Sequence, residues 1–229
     1  MTARKKIVFS TGAGVSAESG ITTFRDAEGL WEKHNVMDVA SHEGFLRNPA
    51  LVHSFYNARR RDMLATAPND AHRAIAELEK DYDVYVITQN VDELHEMAGS
   101  SQVMHLHGKL MSARALDDDS LTWKLTPDNY ETTPETIIDG HHVRPDIVFF
   151  GEAVPMFEPA VELVAQADIF VIIGTTLSVY PAAALLRYVK PGTPVYYIDP
   201  NPAQVPHGVT VIAQPATTGM RTLMDMLRK

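Results

Sequence analysis

Residues 89–108, QNVDELHEMAGSSQVMHLHG, place three histidines, His95, His105 and His107, beside an amide pair, Gln89 and Asn90, and a carboxylate, Asp92. Imidazoles this dense serve as metal ligands, as acid/base groups or as ordinary packing. His105 and His107 flank Leu106 on an expected strand, which would turn both rings to one face. Two histidines two apart on a strand are more often one working group and one packed neighbour than a ligand pair, so no metal is expected. His107 stands apart because Gly108 follows it, leaving room for a substrate to approach the ring. A neutral imidazole with polar neighbours is a ready general base near pH 7. Gln89, Asn90 and Asp92 close the preceding strand with groups suited to a ribose or an amide, and His95 falls on a helix with Glu96.

Three loops at strand ends supply further candidates. Gly12-Ala13-Gly14-Val15-Ser16-Ala17 satisfies G-x-G-x-x-A directly after the run KIVFS, as a dinucleotide loop requires. Glycine permits the tight turn and close backbone approach, and a following helix N-terminus attracts phosphate. A plain strand-to-helix turn is the competing reading. A hydride-transfer enzyme would continue into a long apolar helix and a second strand ending in an acidic residue; this chain instead supplies ITTFRD. Phe24 and Arg25 would then form a flap over a cofactor, or else a surface loop with a buried Phe. The second loop, GTTLSVYPAAAL, offers Gly174, Thr175, Thr176 and Ser178 to a ribose or phosphate. The third, YIDPNP, ends a strand at Asp199, whose carboxylate suits a ribose hydroxyl. Three such loops pointing one way fit a single extended ligand, and a dinucleotide has that reach.

The elements that must position these groups are legible as runs. KIVFS (6–10), DVYVIT (83–88), DIVFFG (146–151), DIFVIIG (168–174), PVYYID (194–199) and GVTVIA (208–213) are short and apolar, as strands buried on both faces of a parallel sheet are. Helical patterns separate them at 69–80, with Asn69 or Asp70 as N-cap, at 158–167, at 180–189 with Pro181 in the first turn, and from 216 to the end. The alternation predicts an α/β protein with a doubly wound, Rossmann-like parallel sheet. Residues 28–66, helical with Asn48-Pro49 opening a helix, and 111–143, polar and turn-rich, break the rhythm and form a smaller inserted lobe. The remainder, 1–27, 67–110 and 144–229, makes the cofactor domain.

Composition excludes several classes. The 229 residues are 45% hydrophobic, enough for a full core. A formal charge of −9 argues against nucleic acid, whose phosphates need a basic face. Zero cysteines remove disulfides, thiolate zinc sites, iron–sulfur clusters and a Cys nucleophile together. With neither a secretory leader nor an apolar run near 18 residues, a soluble cytoplasmic protein that does not engage membranes is expected, working as a monomer.

Five stretches in order, GAGVSAESGITTFRD, TQNVDELHEMAGS, HLHG, RPDIVFFGEAVP and GTTLSVYPAA, together resemble the sirtuins, NAD-dependent protein lysine deacylases, over nearly the whole chain except 111–143. The resemblance implies NAD as cofactor and acyl-lysine peptides as partners. It implies attack of the acyl oxygen on C1′ of the nicotinamide ribose and release of nicotinamide. His107 would then act as base at a ribose hydroxyl, and water would give free lysine and O-acyl-ADP-ribose. Asn90 and Asp92 would organise the nicotinamide-ribose region, with Gln89 a neighbouring ribose contact. Ala13, Ser16, Phe24 and Arg25 would lie in the cofactor loop, and Val148, Phe149, Phe150 and Gly151 would pair the substrate backbone by strand addition.

The resemblance also exposes a departure and a specificity. Most sirtuins hold zinc with two C-x-x-C pairs in the stretch that is 111–143 here. This chain has Asp117-Asp118-Asp119 and His141-His142 instead, and a zinc-free lobe packed by Leu121, Trp123, Leu125, Tyr130 and Ile137 is expected; a segment that orders on peptide binding is the alternative. Tyr56 and Arg59, three apart on a helix, are either part of a solvated Arg cluster or, by resemblance to sirtuins that take malonyl and succinyl lysine, a pair gripping the distal carboxylate. Ala40 matches the small residue widening that acyl pocket. Mono-ADP-ribosyl transfer and an inactive NAD-binding sensor are the competing functions.

Overall fold

The computed structural model describes residues 4–21, 30–31 and 34–228. Its strands are β1 (Lys6–Thr11), β2 (Leu30–Trp31), β3 (His34–Asn35), β4 (Asp83–Thr88), β5 (Val103–His105), β6 (Gly108–Ala115), β7 (Thr122–Lys124), β8 (Ile137–Ile138), β9 (His141–Ile147), β10 (Ile169–Ile173), β11 (Val195–Ile198) and β12 (Val209–Ile212). Its helices are α1 (Val36–Val39), α2 (His42–Arg47), α3 (Pro49–Leu64), α4 (Asp70–Glu77), α5 (Leu94–Met97), α6 (Phe157–Val164) and α7 (Ala216–Leu227).

Six strands form one parallel sheet in the order β12-β11-β10-β1-β4-β5. Counted along the chain this is 3-2-1-4-5-6, the dinucleotide-binding order, and the chain reverses its direction of travel across the sheet between β1 and β10. The apolar runs work because the pleat sends alternate residues to opposite cores. Ile7, Phe9, Val84, Val86, Val171 and Ile173 pack beneath α4 and α7. Val8, Ile87, Phe170, Ile172, Val195 and Tyr197 pack toward α6 and the 3₁₀ segment Ala182–Tyr188. Asn69 caps α4, its side chain accepting from the N–H groups of Ala71 and His72, while His72 Nδ1 accepts from the Asn69 N–H, a reciprocal capping box. At the edge, β12 leaves Thr210 and Val211 exposed.

Four expectations need correction. The run 146–151 is not a parallel strand: β9 ends at Ile147 and pairs antiparallel with β6 in a four-stranded sheet, β7-β6-β9-β8. A parallel pair needs a covering crossover, usually a helix, and 116–140 supplies only turns and two short strands, so the chain returns antiparallel. The pattern 180–189 closes as a 3₁₀ segment over Ala182–Tyr188 rather than as an α-helix. The helix expected to follow the glycine loop is instead a pair of short 3₁₀ turns, Ala13–Val15 and Ala17–Ser19. Finally, β5 stops at His105, so His107 lies beyond it and the two rings do not share a strand face.

The antiparallel sheet and α1–α3 enclose their own core of Val39, Phe45, Val52, Phe55, Tyr56, Leu110, Leu125 and Phe149. Of the side chains expected to pack the 111–143 segment, Leu125 is buried and Trp123 and Tyr130 pack against this core, whereas Ile137 is 57% exposed. A polar latch adds to that packing. His53, Asn57 and Arg60, spaced i, i+4, i+7 along one face of α3, all seize residues 130–132. His53 Nδ1 lies 2.9 Å from Thr132 Oγ1, Asn57 Nδ2 donates to Thr132 O (2.8 Å), and Arg60 donates to Tyr130 O and Thr132 Oγ1 (both 3.1 Å). Among the described residues, no helix is long and apolar enough to cross a membrane, and no cluster of three or more His, Asp or Glu could hold a metal ion.

Candidate active site

The loops after β1, β4 and β10 meet where the sheet changes direction. Gly14 N–H donates to Gly174 O (2.8 Å) and Gly12 N–H to Ile173 O (3.0 Å), so the first and second glycine loops lie backbone against backbone. A Cβ on Gly14 would sit 2.6 Å from Gly174 Cα, and one on Gly174, whose φ is +62°, 2.3 Å from Val15 N. The glycines therefore serve the approach of one loop to the other, which the motif alone did not indicate. Gln89 Nε2 reaches across to Thr175 Oγ1 (3.2 Å), and Tyr197 OH donates to Thr175 O (2.8 Å). Thr176 and Ser178 hydroxyls pair with each other, Asp199 Oδ1 accepts from Asn201 N–H (2.9 Å), and Ala17 is exposed beside Ser16. Phe24 and Arg25 lie outside the described residues. Together these loops offer hydroxyls and a carboxamide along a line of strand ends, with the Asp199 carboxylate buried behind them, groups of the kind that hydrogen-bond the ribose and phosphates of a dinucleotide.

Ser16 is the hub of the deeper layer. Its hydroxyl donates to Asp92 Oδ2 (3.2 Å) and accepts from Asn90 Nδ2 (3.1 Å). Because His72 Nδ1 accepts in the capping box, its Nε2 carries the proton and donates to Ser16 Oγ (3.4 Å). One hydroxyl thus uses its proton and both lone pairs, fully buried. Asp92 Oδ1 accepts from Leu94 N–H (3.2 Å). Burial pushes the Asp92 carboxyl up from its ordinary value, and the bonds from Leu94 and Ser16 oppose that shift. His95, edge-on to His72 at 4.8 Å, lies 3.1 Å through Nε2 from Thr11 Oγ1. Burial lowers His72 to about 4 and His95 to about 3, so both stay neutral, packed members of the site.

The remaining two histidines grip consecutive carbonyls of one loop. His107 Nδ1–H donates to Gln89 O and His105 Nδ1–H to Asn90 O, both at 2.9 Å, carbonyls being acceptors only. His107 is half-buried, and its proton on Nδ1 leaves the Nε2 lone pair for chemistry. Burial lowers its pKa while the bond to Gln89 raises it, with burial the larger effect. His105 is buried, its Nε2 2.9 Å from Glu96 Oε1, which also accepts from Lys109 Nζ (3.3 Å). Burial would raise Glu96, yet His105 and Lys109 hold it down to about 2. Gly108, at φ +86°, makes room for the protein itself rather than for a substrate: a Cβ there would meet Asp146 O at 2.0 Å.

The second group of expected residues gathers on the small lobe. Tyr56 is buried edge-on to Phe55 (5.2 Å) and tilted against Phe149 (6.0 Å), and burial raises its pKa, so it remains a phenol and a donor. Arg59 is half-buried, pairs with Asp62 (2.6 Å) and lies over the Phe55 ring. Ala40 is buried, and its carbonyl accepts from Phe150 N–H (2.8 Å); Phe150 O accepts from His42 N–H (3.0 Å). Phe150 is thus already paired on both backbone groups, while Val148 N–H donates to His107 O (3.0 Å) and Gly151 is exposed. Sequence reasoning missed the clamp on this loop. Glu152 takes a bidentate pair from Arg144 (2.7 and 2.8 Å) and accepts from Phe149 N–H and His42. Burial would raise its carboxyl, but Arg144 and the other donors bring it to about 2. It missed His72 as well, although Asn69-x-x-His72 is a readable capping spacing.

Comparison with known proteins gives one answer. The Sir2 family model matches residues 12–181. An NAD-dependent protein deacylase of Bacteroides thetaiotaomicron is 52% identical over 229 residues, covering 97% of this chain and 98% of its own. One of Helicobacter pylori is 50% identical over 225 residues, covering 97% of each. A crystal structure of a Sir2 homologue with NAD superposes with a TM-score of 0.86 at 35% identity, over 98% of this chain and 90% of that one. The chain belongs to the Sir2 family.

Proposed function

We propose that this protein is an NAD-dependent protein lysine deacylase that removes succinyl and malonyl as well as acetyl groups from lysine side chains of proteins or peptides. The carrying observation is His107, whose Nδ1–H is tied to Gln89 O, so that the base nitrogen is defined by the backbone. When bound, NAD supplies the ribose carbon that accepts the acyl group as nicotinamide leaves. His107 Nε2 takes the proton of a ribose hydroxyl. Asn90 and Asp92, ordered by Ser16, orient that sugar, Gln89 contacts the neighbouring ribose, and Gly12, Ala13, Gly14, Ala17, Gly174, Thr175, Thr176, Ser178 and Asp199 hold the rest of the dinucleotide. The substrate backbone adds to the edge formed by Val148, Phe149, Phe150 and Gly151. Because Phe150 is already bonded to Ala40 and His42, the Val148 carbonyl and the Gly151 backbone take the peptide's bonds. Tyr56 and Arg59 hold the distal carboxylate in a pocket that Ala40 keeps wide.

We divide the chain into a cofactor lobe (1–27, 67–110 and 144–229) and a smaller lobe (28–66 and 111–143), and take it to act as a cytoplasmic monomer on proteins rather than on nucleic acid or membranes. The test is nicotinamide release from NAD with acetyl, malonyl, succinyl and fatty-acyl peptides, with mass spectrometry of the peptide. Loss of the acyl group, abolished by His107→Ala, is expected. Gain of ADP-ribose, or no nicotinamide release with any peptide, refutes the assignment.

A further inference from the structure

Three arginines of the described structure are buried: Arg60, Arg114 and Arg144. Two are matched by carboxylates, Arg144 by Glu152 (2.7 Å) and Arg114 by Asp146 (3.6 Å) and Glu152 (3.9 Å). Arg60, 0% exposed, is not. Its guanidinium donates to the carbonyls of Leu110 (2.6 Å), Tyr130 (3.1 Å) and Ser112 (3.3 Å), to Asn57 Oδ1 (2.8 Å) and to Thr132 Oγ1 (3.1 Å). Every acceptor is neutral. Burying a cation without an anion is costly, and five neutral dipoles offset that cost only in part.

The cation shares α3 with Tyr56 and Arg59, the residues assigned above to the acyl pocket. Arg60 follows Arg59 and lies one helical turn from Tyr56, which feels its charge directly. Arg144 is also close to Tyr56 but is neutralised by Glu152, and Arg59 already shares its charge with Asp62. The uncompensated charge at the pocket is therefore that of Arg60.

We propose that Arg60 is a specificity-determining residue: a fixed buried cation whose missing counter-charge is the distal carboxylate of the acyl group, acting through space behind Tyr56 rather than by contact. The inference rests on the acidic-acyl specificity proposed above. It differs in locating part of the preference in a residue that touches no substrate atom. A unit charge about a pocket's depth away, at the screening found inside proteins, changes discrimination on the order of tenfold.

The experiment compares kcat/KM for a succinyl-lysine peptide and for its monoamide isostere, which has the same shape and no charge. Wild type is expected to favour the acid strongly, Arg59→Met to retain about a tenfold preference, and Arg59→Met with Arg60→Gln to show none. Arg60→Lys alone, keeping the charge but losing the fork, is expected to hold the acid-to-amide ratio while lowering both rates. No preference in wild type overturns the acidic-acyl assignment itself. A wild-type preference that disappears entirely in Arg59→Met, or that survives Arg60→Gln unchanged in that background, overturns the role of Arg60 alone. If Arg60→Gln does not fold, Arg60→Met and Arg60→Lys in the Arg59→Met background make the same comparison: the preference is expected to vanish with Met and to persist with Lys, and equal ratios in the two overturn the role.

Discussion

Replacing Ser16 by alanine tests the site at its most connected atom. The substitution removes one hydroxyl and leaves three buried groups short of a partner: Asp92 Oδ2, Asn90 Nδ2 and His72 Nε2–H. Each stranded buried group costs about 1–3 kcal/mol, so even the lower bound sums to about 3 kcal/mol, or roughly two orders of magnitude in an equilibrium. Asp92 carries an additional consequence. Its carboxyl is already raised by burial, and Ser16 is one of the two donors holding it down, so its pKa rises further in the variant and a higher pH is needed to ionise it. The assay is kcat/KM for NAD across pH with a saturating acyl peptide, alongside urea unfolding to separate loss of fold from loss of site. A fall of about a hundredfold near neutrality is expected, with the acid limb displaced to higher pH. A variant within about threefold of wild type, with an unmoved acid limb, refutes the hub.

Other outcomes follow from single features of the structure. Gly108→Ala must accept both a left-handed backbone and a Cβ 2.0 Å from Asp146 O, so β6 parts from β9 beside His107; a loss of several kcal/mol in unfolding free energy and a fall in kcat are expected from chemical denaturation and turnover. Stability should fall as pH drops below about 6.5. His53, His72 and His95 are held neutral at about 4, 4 and 3, so between those values and 6.5 the unfolded chain binds more protons; each contributes up to about 1.4 kcal/mol per pH unit, and a flat profile of urea midpoints from pH 7 to 5 contradicts this. Arg59→Met should cost about 1.5–3 kcal/mol in kcat/KM on succinyl peptide, because the lost bond is charge-assisted but competes with Asp62; acetyl peptide should be little changed, and equal losses on both exclude the pocket assignment.

Local chemistry wrote much of this protein into its sequence. Apolar runs such as KIVFS and DIFVIIG dictate the central strands buried on both faces, Asn69 dictates where α4 begins, and the five ordered motifs, with His107 among them, identify the Sir2 family. These signals are short-range, set by propensity, pleat and capping. Tertiary structure decided what depends on which surfaces meet. Gly14 looks like a phosphate glycine yet is needed because Gly174 lies against it, and Gly108 is needed because Asp146 crosses it. His105 and His107 look like a strand pair, but the strand ends between them, and each instead holds its own carbonyl of the 89–90 loop. The IVFF run looks like a parallel strand, yet without a crossover helix it could only turn back. Arg60 looks like one more member of a solvated cluster, and only the docking of 110–132 onto α3 buries it among carbonyls, with no carboxylate bonded to it among the described residues. Composition fixes which side chains seek burial; the packing of distant segments fixes which polar groups they bury together.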